Sequence, residues 1–317
     1  MAQRTLRSVL VTGAGGFMGS HFTERLLDLG VDVTASVRRT SDQLPRPHAR
    51  NLSGRSGPRL TYLPVDLAGA SSVEVLSAQR AAVWVHLAAD AYVPASFVQP
   101  GSVVHNNVMS TVHVLDAARR RGPELLIVAG SSEVYGHHDE PITEASPFRP
   151  TTPYAASKVA TEQLALSYHR TFGLPVVVAR PFNCYGPRHL YDVIPLFIGR
   201  ALRGRPLVVN GDGSQTRDFT YASDTVDALV ELCRSAEAGQ VFNIGSGVDT
   251  SVLEVARLVR RVSGSSSEIR HGPARPGEVR RMCSDSTALT KATGWRAVVP
   301  IEEGVRRTVE HARAAGR

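Results

Sequence analysis

Tyr154 and Lys158 are the two residues of this chain whose types and spacing most directly allow chemistry. They lie four positions apart, just after Thr152, a good helix N-cap, and Pro153, which suits the first helical position. On a helix the phenol and the ammonium would share one face. An ammonium beside a phenol favours the phenolate, so we expect a lowered tyrosine pKa and a general base and acid. The alternative is a surface helix on which the two side chains are only neighbours.

A glycine-rich turn near the N-terminus predicts a second component of a site. Residues 8–12 form a β-branched run typical of a buried strand, and residues 20–29 have helical periodicity. Gly13, Gly16 and Gly19 lie between them. Such a turn brings backbone N–H groups and the positive end of a helix against a phosphate, and side chains would block the approach. The sequence therefore predicts a dinucleotide-binding turn, and folded structure rather than a signal peptide.

Strands alternate with helices along the first 180 residues. The further strand candidates are residues 31–37, 60–63, 82–86, 125–129 and 174–179, and the long helices are 102–121 and 153 to about 172. This alternation predicts an α/β fold with a doubly wound parallel sheet of the Rossmann type, whose ligands bind at the carboxyl ends of the strands. Several small or polar residues fall at or just beyond those ends: Gly13, Arg38, Asp66, Ala88, Ser131 and Asn183.

Turns and charge become more frequent after Pro181. We expect residues 241–244 to add a seventh strand to the sheet and residues 252–262 to form an amphipathic helix. The predicted division has two parts: a dinucleotide-binding domain over residues 1–180 plus about 222–247, and a smaller C-terminal α/β substrate domain over 181–221 plus about 248–317.

Composition and charge exclude several classes of protein. The 317-residue chain has a net charge of +7, but residues 38–59 alone hold six arginines and one aspartate. This basic segment lacks interleaved aromatic residues, so no nucleic-acid partner is expected. No apolar run approaches about 18 residues, so no membrane span is expected. The three separated cysteines and the adjacent His137 and His138 lack metal-ligand spacing, which predicts no metal and favours a reducing cytoplasm.

The end of the second strand bears on the choice of dinucleotide. A carboxylate there would bind the adenine ribose of NAD, but this chain has Val37 followed by Arg38 and Arg39. Arginine suits the 2′-phosphate of NADP. The sequence therefore favours NADP over NAD, and the alternative is that these arginines only begin a solvated basic loop.

Together these motifs resemble those of the extended short-chain dehydrogenase/reductase family, the NAD(P)-dependent nucleotide-sugar epimerases and dehydratases. The resemblance covers essentially the whole chain. Its motifs are Thr12-Gly13-x-x-Gly16-x-x-Gly19, His86-Leu-Ala-Ala89, Asn107, Ser131 with Tyr135-Gly136, Tyr154-x-x-x-Lys158, Arg180-Pro-Phe-Asn183-x-Tyr-Gly-Pro187, Gly211-Asp-Gly-x-Gln-Thr-Arg217-Asp218-Phe and Arg275-Pro-Gly-Glu278. It implies a nucleotide-diphosphate sugar as substrate and a homodimer that pairs through the two long helices.

The resemblance also implies a role for each matching residue. Ser131 and Tyr154 would contact the sugar 4-hydroxyl, and Lys158 would hold the nicotinamide ribose. The other implied cofactor-binding residues are Gly13, Gly16, Phe17, Met18, Gly19, Arg38, Arg39, Asp66, Leu67, Leu87, Ala88, Ala89, Asn107 and Pro181. The implied substrate-binding residues are Ser96, Asn183, Val193, Arg217, Arg275 and Glu278. Of these, Asn183, Arg217 and Arg275 would hold the pyrophosphate.

The residues after Ser131 separate members of the family. The common first step implied by the resemblance is hydride transfer from C4 to the cofactor, which gives a 4-keto sugar. Ser131-Ser132-Glu133 resembles GDP-mannose 4,6-dehydratases, UDP-glucuronate decarboxylases and GDP-4-keto-6-deoxymannose reductases, and in the dehydratases the glutamate removes the C5 proton. We therefore expect a 4,6-dehydratase whose catalytic residues are Ser131, Ser132, Glu133, Tyr154 and Lys158.

Other reactions stay open at this point. The Tyr-Gly-Pro-Arg and Gln-Thr-Arg-Asp-Phe segments look more like epimerases and decarboxylases, and Ser132 replaces the acidic aspartate of dTDP-glucose dehydratases. A 4-epimerase, a 4-keto-sugar reductase or a UDP-glucuronate decarboxylase is therefore an alternative. A non-catalytic dinucleotide sensor that kept the fold is an alternative of another class. Glu133 could also be a structural carboxylate, although perturbed acids cluster beside a base and a cofactor.

Overall fold

The structure, a computed structural model, describes residues 3–38, 51–52, 54–274 and 279–316. Its strands are β1 (Ser8–Thr12), β2 (Asp32–Val37), β3 (Leu60–Pro64), β4 (Val83–His86), β5 (Leu125–Ala129), β6 (Val176–Pro181), β7 (Asn183–Tyr185), β8 (Leu207–Asn210), β9 (Thr216–Tyr221), β10 (Val241–Ile244), β11 (Asp249–Ser251) and β12 (Ile269–Gly272). Its α-helices are α1 (Phe17–Asp28), α2 (Ser72–Ser77), α3 (Val93–Val98), α4 (Pro100–Arg121), α5 (Pro153–Phe172), α6 (Val193–Ala201), α7 (Ala222–Ser235), α8 (Val252–Val262), α9 (Thr287–Thr293) and α10 (Ile301–Ala314).

Seven parallel strands form the central sheet, in the order β10-β6-β5-β4-β1-β2-β3. The order confirms the predicted doubly wound sheet and its seventh strand. The chain runs outward from β1 to β3 and then returns to β4 on the other side of β1. A crevice opens beyond the carboxyl ends of the strands where the winding reverses in this way. The predicted dinucleotide-binding turn follows β1 and lies at this reversal.

Helices cover both faces of the sheet, which is why its central strands are almost continuously apolar. On one face, α1 contributes Phe22 and Leu26 to a core that also includes Leu229 of α7. On the other face, Leu115 of α4 and Ala165 of α5 pack on the sheet. All five side chains are buried. The two helices that carry the predicted site, α4 and α5, are therefore fixed against the sheet by apolar packing.

The elements that differ in detail from the sequence expectations include α1, β6 and α6, and α4 begins two residues before its predicted start. Helix α1 begins at Phe17 rather than residue 20, because Gly16 already serves as its N-cap. Strand β6 is displaced two residues toward the C-terminus of its predicted range, because Pro175 has no N–H to donate to a ladder. Residues 193–201 form α6, although the sequence indicated mainly turns and charge there.

A second core lies beyond β6. Strands β11, β9 and β7 form one small sheet, β12 and β8 form another, and α6, α8 and α10 pack with them. Leu289 of α9 and Trp295 instead join the core of the central sheet. The precise division into two domains stays a prediction. No helix in the part of the chain that the structure describes is long and apolar enough to cross a membrane.

The glycine turn allows a direct test of its packing. A Cβ on Gly19 would overlap the carbonyl oxygen of Gly13. Gly19→Ala should therefore lower the free energy of unfolding by about 1–3 kcal/mol, the usual cost of overpacking. Gly101→Ala is the control, since a Cβ there meets open space. Urea denaturation measures both, and equal stability of the two variants would contradict the packing described here.

Candidate active site

The turn after β1 leaves backbone groups accessible for a phosphate. Gly13 has a φ of +69°, and a Cβ on it would lie 2.8 Å from the backbone of Ala88. No side chain caps the first turn of α1, whose N-cap is Gly16. The first N–H groups of a helix lack intrahelical partners, so they are available to an anion. The turn and the residues after β4 thus form a cradle that fits a dinucleotide pyrophosphate and that side chains would fill.

Arg38 reaches across this cradle. Its Nη2 donates to Oδ1 of Asp90 at 3.3 Å, and Oδ2 of Asp90 accepts from Asn106 at 2.6 Å. Arg38 follows β2 and Asp90 lies beyond β4, and these strands flank β1 on either side. The ion pair therefore bridges the crevice above the glycine turn. Sequence reasoning missed Asp90, because nothing in the sequence indicates that a residue after β4 meets one after β2.

Asn107 and Asp66 make local hydrogen bonds. Oδ1 of Asn107 accepts from the N–H of Asp90 at 2.7 Å, and its Nδ2 donates to Oγ of Ser157 at 3.0 Å. The amide therefore connects the segment after β4 to α5. Asp66 is exposed, and its Oδ1 accepts from the N–H of Ala68 at 3.2 Å, while the following Leu67 is buried. Their cofactor roles stay predictions.

Tyr154, Lys158 and Ser131 come together at the carboxyl end of β5. Thr152 caps α5 by accepting from the N–H of Ala155 at 3.0 Å, which places the tyrosine and the lysine on the inner face of the helix. The Tyr154 phenol is hydrogen-bonded to Ser131. The Lys158 ammonium donates to the carbonyl oxygen of Ala129, the last residue of β5. The three side chains are almost fully buried, so their charges are strongly affected by desolvation.

The expectation that Lys158 lowers the pKa of Tyr154 is wrong for this structure. Burial raises the pKa of Tyr154 above its ordinary value, and the hydrogen bond to Ser131 opposes that shift without reversing it. Burial also lowers the pKa of Lys158 to about 8. The sequence-based argument counted the attraction between the two groups but not the loss of water around the phenol, which is the larger effect here.

Glu133 lies beside this group on a short 3₁₀ turn, residues 132–134. Oγ of Ser131 accepts from the N–H of Glu133 at 3.2 Å, which fixes the start of the turn. Burial raises the pKa of the Glu133 carboxyl, and Asp192 raises it further, whereas Arg217 opposes the shift. Ser132 is buried within the same turn. A carboxylate whose pKa is raised binds a proton more strongly than an ordinary one, so Glu133 has the character of a general base.

Sequence reasoning also missed the segment from Arg188 to Asp192, which packs across the crevice. The His189 ring stacks on Phe17 with centroids 4.4 Å apart, and Tyr191 contacts Tyr92 at 5.3 Å. Arg188 and Asp192 are the non-glycine residues with positive φ in the described chain, at 71° and 76°. Such strained backbone is concentrated at functional sites, and Asp192 affects the pKa of both Glu133 and Tyr154.

Residues predicted to bind substrate lie on several elements. Arg217, on β9, donates to the carbonyl oxygens of Val279 and Thr216 at 2.6 and 2.8 Å. Oδ1 of Asn183 is buried without a hydrogen-bond partner among the described residues. Ser96 donates to the carbonyl oxygen of Val93 at 2.7 Å and is fully buried in α3.

The remaining predicted residues are at element ends or outside the described chain. Pro181 ends β6, Val193 begins α6, Met18 lies in the first turn of α1, and Leu87 and Ala89 follow β4. The predictions for Arg39, Arg275 and Glu278 lie outside the described residues. Within the described ranges, no cluster of three or more histidine, cysteine, aspartate or glutamate side chains could hold a metal ion.

Two curated relatives align over nearly their whole length. A dTDP-glucose 4,6-dehydratase from an Actinoplanes species is 35% identical over 313 residues, which covers 96% of this chain and 98% of the relative. A UDP-glucose 4-epimerase from Mycolicibacterium smegmatis is 35% identical over 308 residues, which covers 95% of this chain and 97% of the relative. A dehydratase and an epimerase are thus equally similar to this chain.

A solved structure and a family model point to the same family as these two relatives. The crystal structure of DesIV, a dTDP-glucose 4,6-dehydratase from Streptomyces venezuelae with NAD bound, has a TM-score of 0.88 and 30% identity and covers 97% of each chain. The model of the NAD dependent epimerase/dehydratase family matches residues 9–245. The glycine turn, the Tyr154 and Lys158 pair and these matches together show that the chain belongs to the NAD-dependent epimerase/dehydratase family, the extended short-chain dehydrogenase/reductase enzymes that act on nucleotide sugars.

Proposed function

We propose that this enzyme is a nucleotide-diphosphate-sugar 4,6-dehydratase in which Glu133 removes the proton from C5. The observation that carries the proposal is the Glu133 carboxyl beside Ser131 and Tyr154, with its pKa raised by burial. Only the ionised carboxylate can accept a proton. A raised pKa means that this ionised form binds a proton more tightly, so Glu133 is a stronger base than an ordinary carboxylate. A neutral side chain at this position would support C4 oxidation alone.

The first step uses Tyr154, Ser131 and Lys158. Tyr154 is protonated in the enzyme without ligands, because burial raises its pKa, so it must first lose that proton to solvent. Its phenolate then accepts the proton of the sugar 4-hydroxyl, and Ser131 holds that hydroxyl through a hydrogen bond. The nicotinamide, when bound, supplies the hydride acceptor at C4 and the hydride donor at the end of the reaction. Lys158 provides positive charge beneath the site, and its pKa of about 8 leaves most of it protonated at neutral pH.

The elimination that follows uses Glu133. The 4-keto group acidifies the C5 proton, which the Glu133 carboxylate accepts while the C6 hydroxyl leaves. That proton departs with the hydroxyl as water, and a C5–C6 double bond remains. Hydride addition at C6 and proton addition at C5 from Tyr154 then give the 4-keto-6-deoxy sugar. The net change is the loss of one water molecule.

Epimerisation is the second candidate, and the similarity to a UDP-glucose 4-epimerase favours it. An epimerase would return the hydride to C4 on the opposite face and leave the mass of the sugar unchanged. A 4-keto-sugar reductase and a UDP-glucuronate decarboxylase share the same first-step residues and remain further alternatives. A dinucleotide sensor without activity would not need Ser131, Tyr154 and Lys158 buried together at one strand end.

Product mass distinguishes these reactions. With a panel of UDP-, dTDP- and GDP-sugars, we expect the loss of one water from the accepted substrate. Glu133→Gln should slow this loss by about 10²- to 10⁴-fold, the range typical of a general base, and Tyr154→Phe should abolish C4 oxidation as well. Mass spectrometry of the products is the measurement.

Glu140→Gln is the matched control for this assay, because Glu140 is an exposed carboxylate on the loop that follows Glu133. It should retain full dehydratase activity. An unchanged mass for every converted substrate would reject dehydration, and loss of carbon dioxide would identify a decarboxylase.

We further propose that the cofactor is NADP rather than NAD. Arg38 lies at the end of β2, where the 2′-phosphate of NADP would be placed, and the neighbouring residue of β2 is Val37 rather than a carboxylate. Asp90 holds the Arg38 guanidinium from across the crevice and would compete with that phosphate. Exchange of one exposed partner for another costs little, because such ion pairs contribute about 0–1 kcal/mol.

The cofactor preference can be measured by fluorescence titration with NADPH and NADH. Arg38→Ala should weaken NADPH binding about tenfold and leave NADH binding nearly unchanged. Asp90→Asn should tighten NADPH binding a few-fold, since it removes the competing carboxylate. Arg25→Ala is the control, since it breaks an exposed 2.8 Å ion pair between Arg25 of α1 and Asp227 of α7. Equal losses for both dinucleotides in Arg38→Ala would refute the 2′-phosphate role.

We propose that the protein works in a reducing cytoplasm, with which the free cysteines Cys184, Cys233 and Cys283 are consistent. We also propose that two copies of the chain pair through α4 and α5. The two helices pack side by side, and Val104 and Phe172 on them are partly exposed. Sedimentation should give twice the 34.1 kDa mass of one chain. Val104→Arg should yield the monomer, whereas Val298→Arg, at an exposed valine far along the chain, should not. A monomeric native protein would contradict the pairing.

A further inference from the structure

A buried ion pair lies directly beneath the catalytic residues. Nε of Arg180 donates to Oε2 of Glu162 at 2.8 Å, and the side chains are 3% and 0% exposed. Glu162 belongs to α5 and Arg180 to β6. A charged pair this far from water is usually no more stabilising than apolar residues of the same volume, because both ions lose their hydration. Stability alone therefore gives no reason for this pair to be present.

Glu162 contacts the catalytic residues from below. It is one helical turn beyond Lys158 on α5, and its charge raises the pKa of that lysine. Its Oε1 accepts from the N–H of Ser131 at 3.4 Å. A Cβ on Gly130 would overlap the same oxygen, so the absence of a side chain at residue 130 lets the carboxylate reach the strand end.

Arg180 is held firmly from the other side. Its Nη1 donates to the phenol oxygen of Tyr135 and, at 3.3 Å, to the carbonyl oxygen of Glu144. Its guanidinium carbon lies 4.9 Å from the ring centres of both Tyr135 and Phe148. Tyr135 in turn donates to Oδ1 of Asn243 at 2.8 Å. These contacts fix the guanidinium, and the guanidinium fixes the Glu162 carboxylate.

We propose that Glu162, held by Arg180, is a positioning residue that keeps Lys158 cationic and fixes the backbone of Ser131 for cofactor and substrate binding. The proposal rests on the proposed role of Lys158 as the residue that holds the cofactor ribose. It concerns binding before any sugar reacts. Its test can therefore succeed or fail independently of the dehydratase assignment.

The charges around Lys158 determine the sign of the expected effect. Burial lowers its pKa to about 8, and Glu162 is the neighbouring charge that opposes the shift. His86 faces it from β4 and is neutral, because burial lowers the pKa of that histidine to about 3. Tyr154 on the same helix is protonated because burial raises its pKa. Without the Glu162 charge, Lys158 would lose its proton at a lower pH.

Cofactor binding should report this change. The cationic amine attracts the anionic dinucleotide and donates one more hydrogen bond than the neutral amine. Binding should therefore weaken as the pH rises through the Lys158 pKa, with a midpoint near pH 8 in the native enzyme. In Glu162→Gln the midpoint should move down by about one pH unit or more, the effect typical of losing a close opposite charge.

The experiment is a fluorescence titration with NADPH between about pH 6 and pH 10, without sugar. Glu162→Gln leaves Arg180 buried without its counter-ion, so Glu162→Gln/Arg180→Met is made as well to preserve folding. Both variants should show the downward shift of the midpoint. Glu303→Gln, which removes an exposed carboxylate paired with Arg306, is the control and should not move it.

The outcome separates positioning from simple structural support. A structural role alone would lower the melting temperature and weaken binding by the same factor at every pH, with the midpoint unchanged. That result in the double variant would overturn the proposal. A shifted midpoint would support it even if the enzyme proved to be an epimerase, because both reactions use the same cofactor-binding lysine.

Discussion

The removal of the Lys158 ammonium from water is the constraint on which the rest of the site depends. An ammonium in an apolar interior is costly unless it is hydrogen-bonded and paired. Here the Ala129 carbonyl oxygen accepts from it and the Glu162 carboxylate lies one turn away. The same burial raises the pKa of Tyr154. The pKa values of Lys158 and Tyr154 therefore differ from their ordinary values because both groups are buried away from water.

The parallel sheet makes this arrangement possible. Strands β1, β4, β5 and β6 end at one edge, so residues far apart in sequence meet there. Backbone groups at these strand ends can form hydrogen bonds with side chains of the site. For example, the carbonyl oxygen of Ala129 accepts a hydrogen bond from Lys158. The reversal of winding between β1 and β4 opens the crevice for the dinucleotide. The aromatic contacts of residues 188–192 then connect the second core to the glycine turn.

Local patterns were sufficient to predict much of this organisation. The glycine spacing after β1, the apolar runs of the strands and the capped start of α5 each depend on neighbours in sequence, and each was confirmed. The pKa of Tyr154 was predicted in the wrong direction because its environment depends on burial by distant segments. Asp90 and Asp192 were missed for the same reason, since only the folded chain brings them to Arg38 and Glu133. Helix α6 was not predicted, because the residues on either side of it are typical of turns.

The central claim is that Glu133 removes the C5 proton, and the hydrogen isotope found at C5 after reaction in heavy water tests it most directly. If the native enzyme converts its nucleotide sugar in D₂O, the product should carry deuterium at C5, seen by NMR. The sugar that the Glu133→Gln variant oxidises at C4 should contain no deuterium at C5. A native product with hydrogen retained at C5 would contradict the account, in which the proton taken from C5 leaves as water and a solvent-exchanged proton from Tyr154 replaces it.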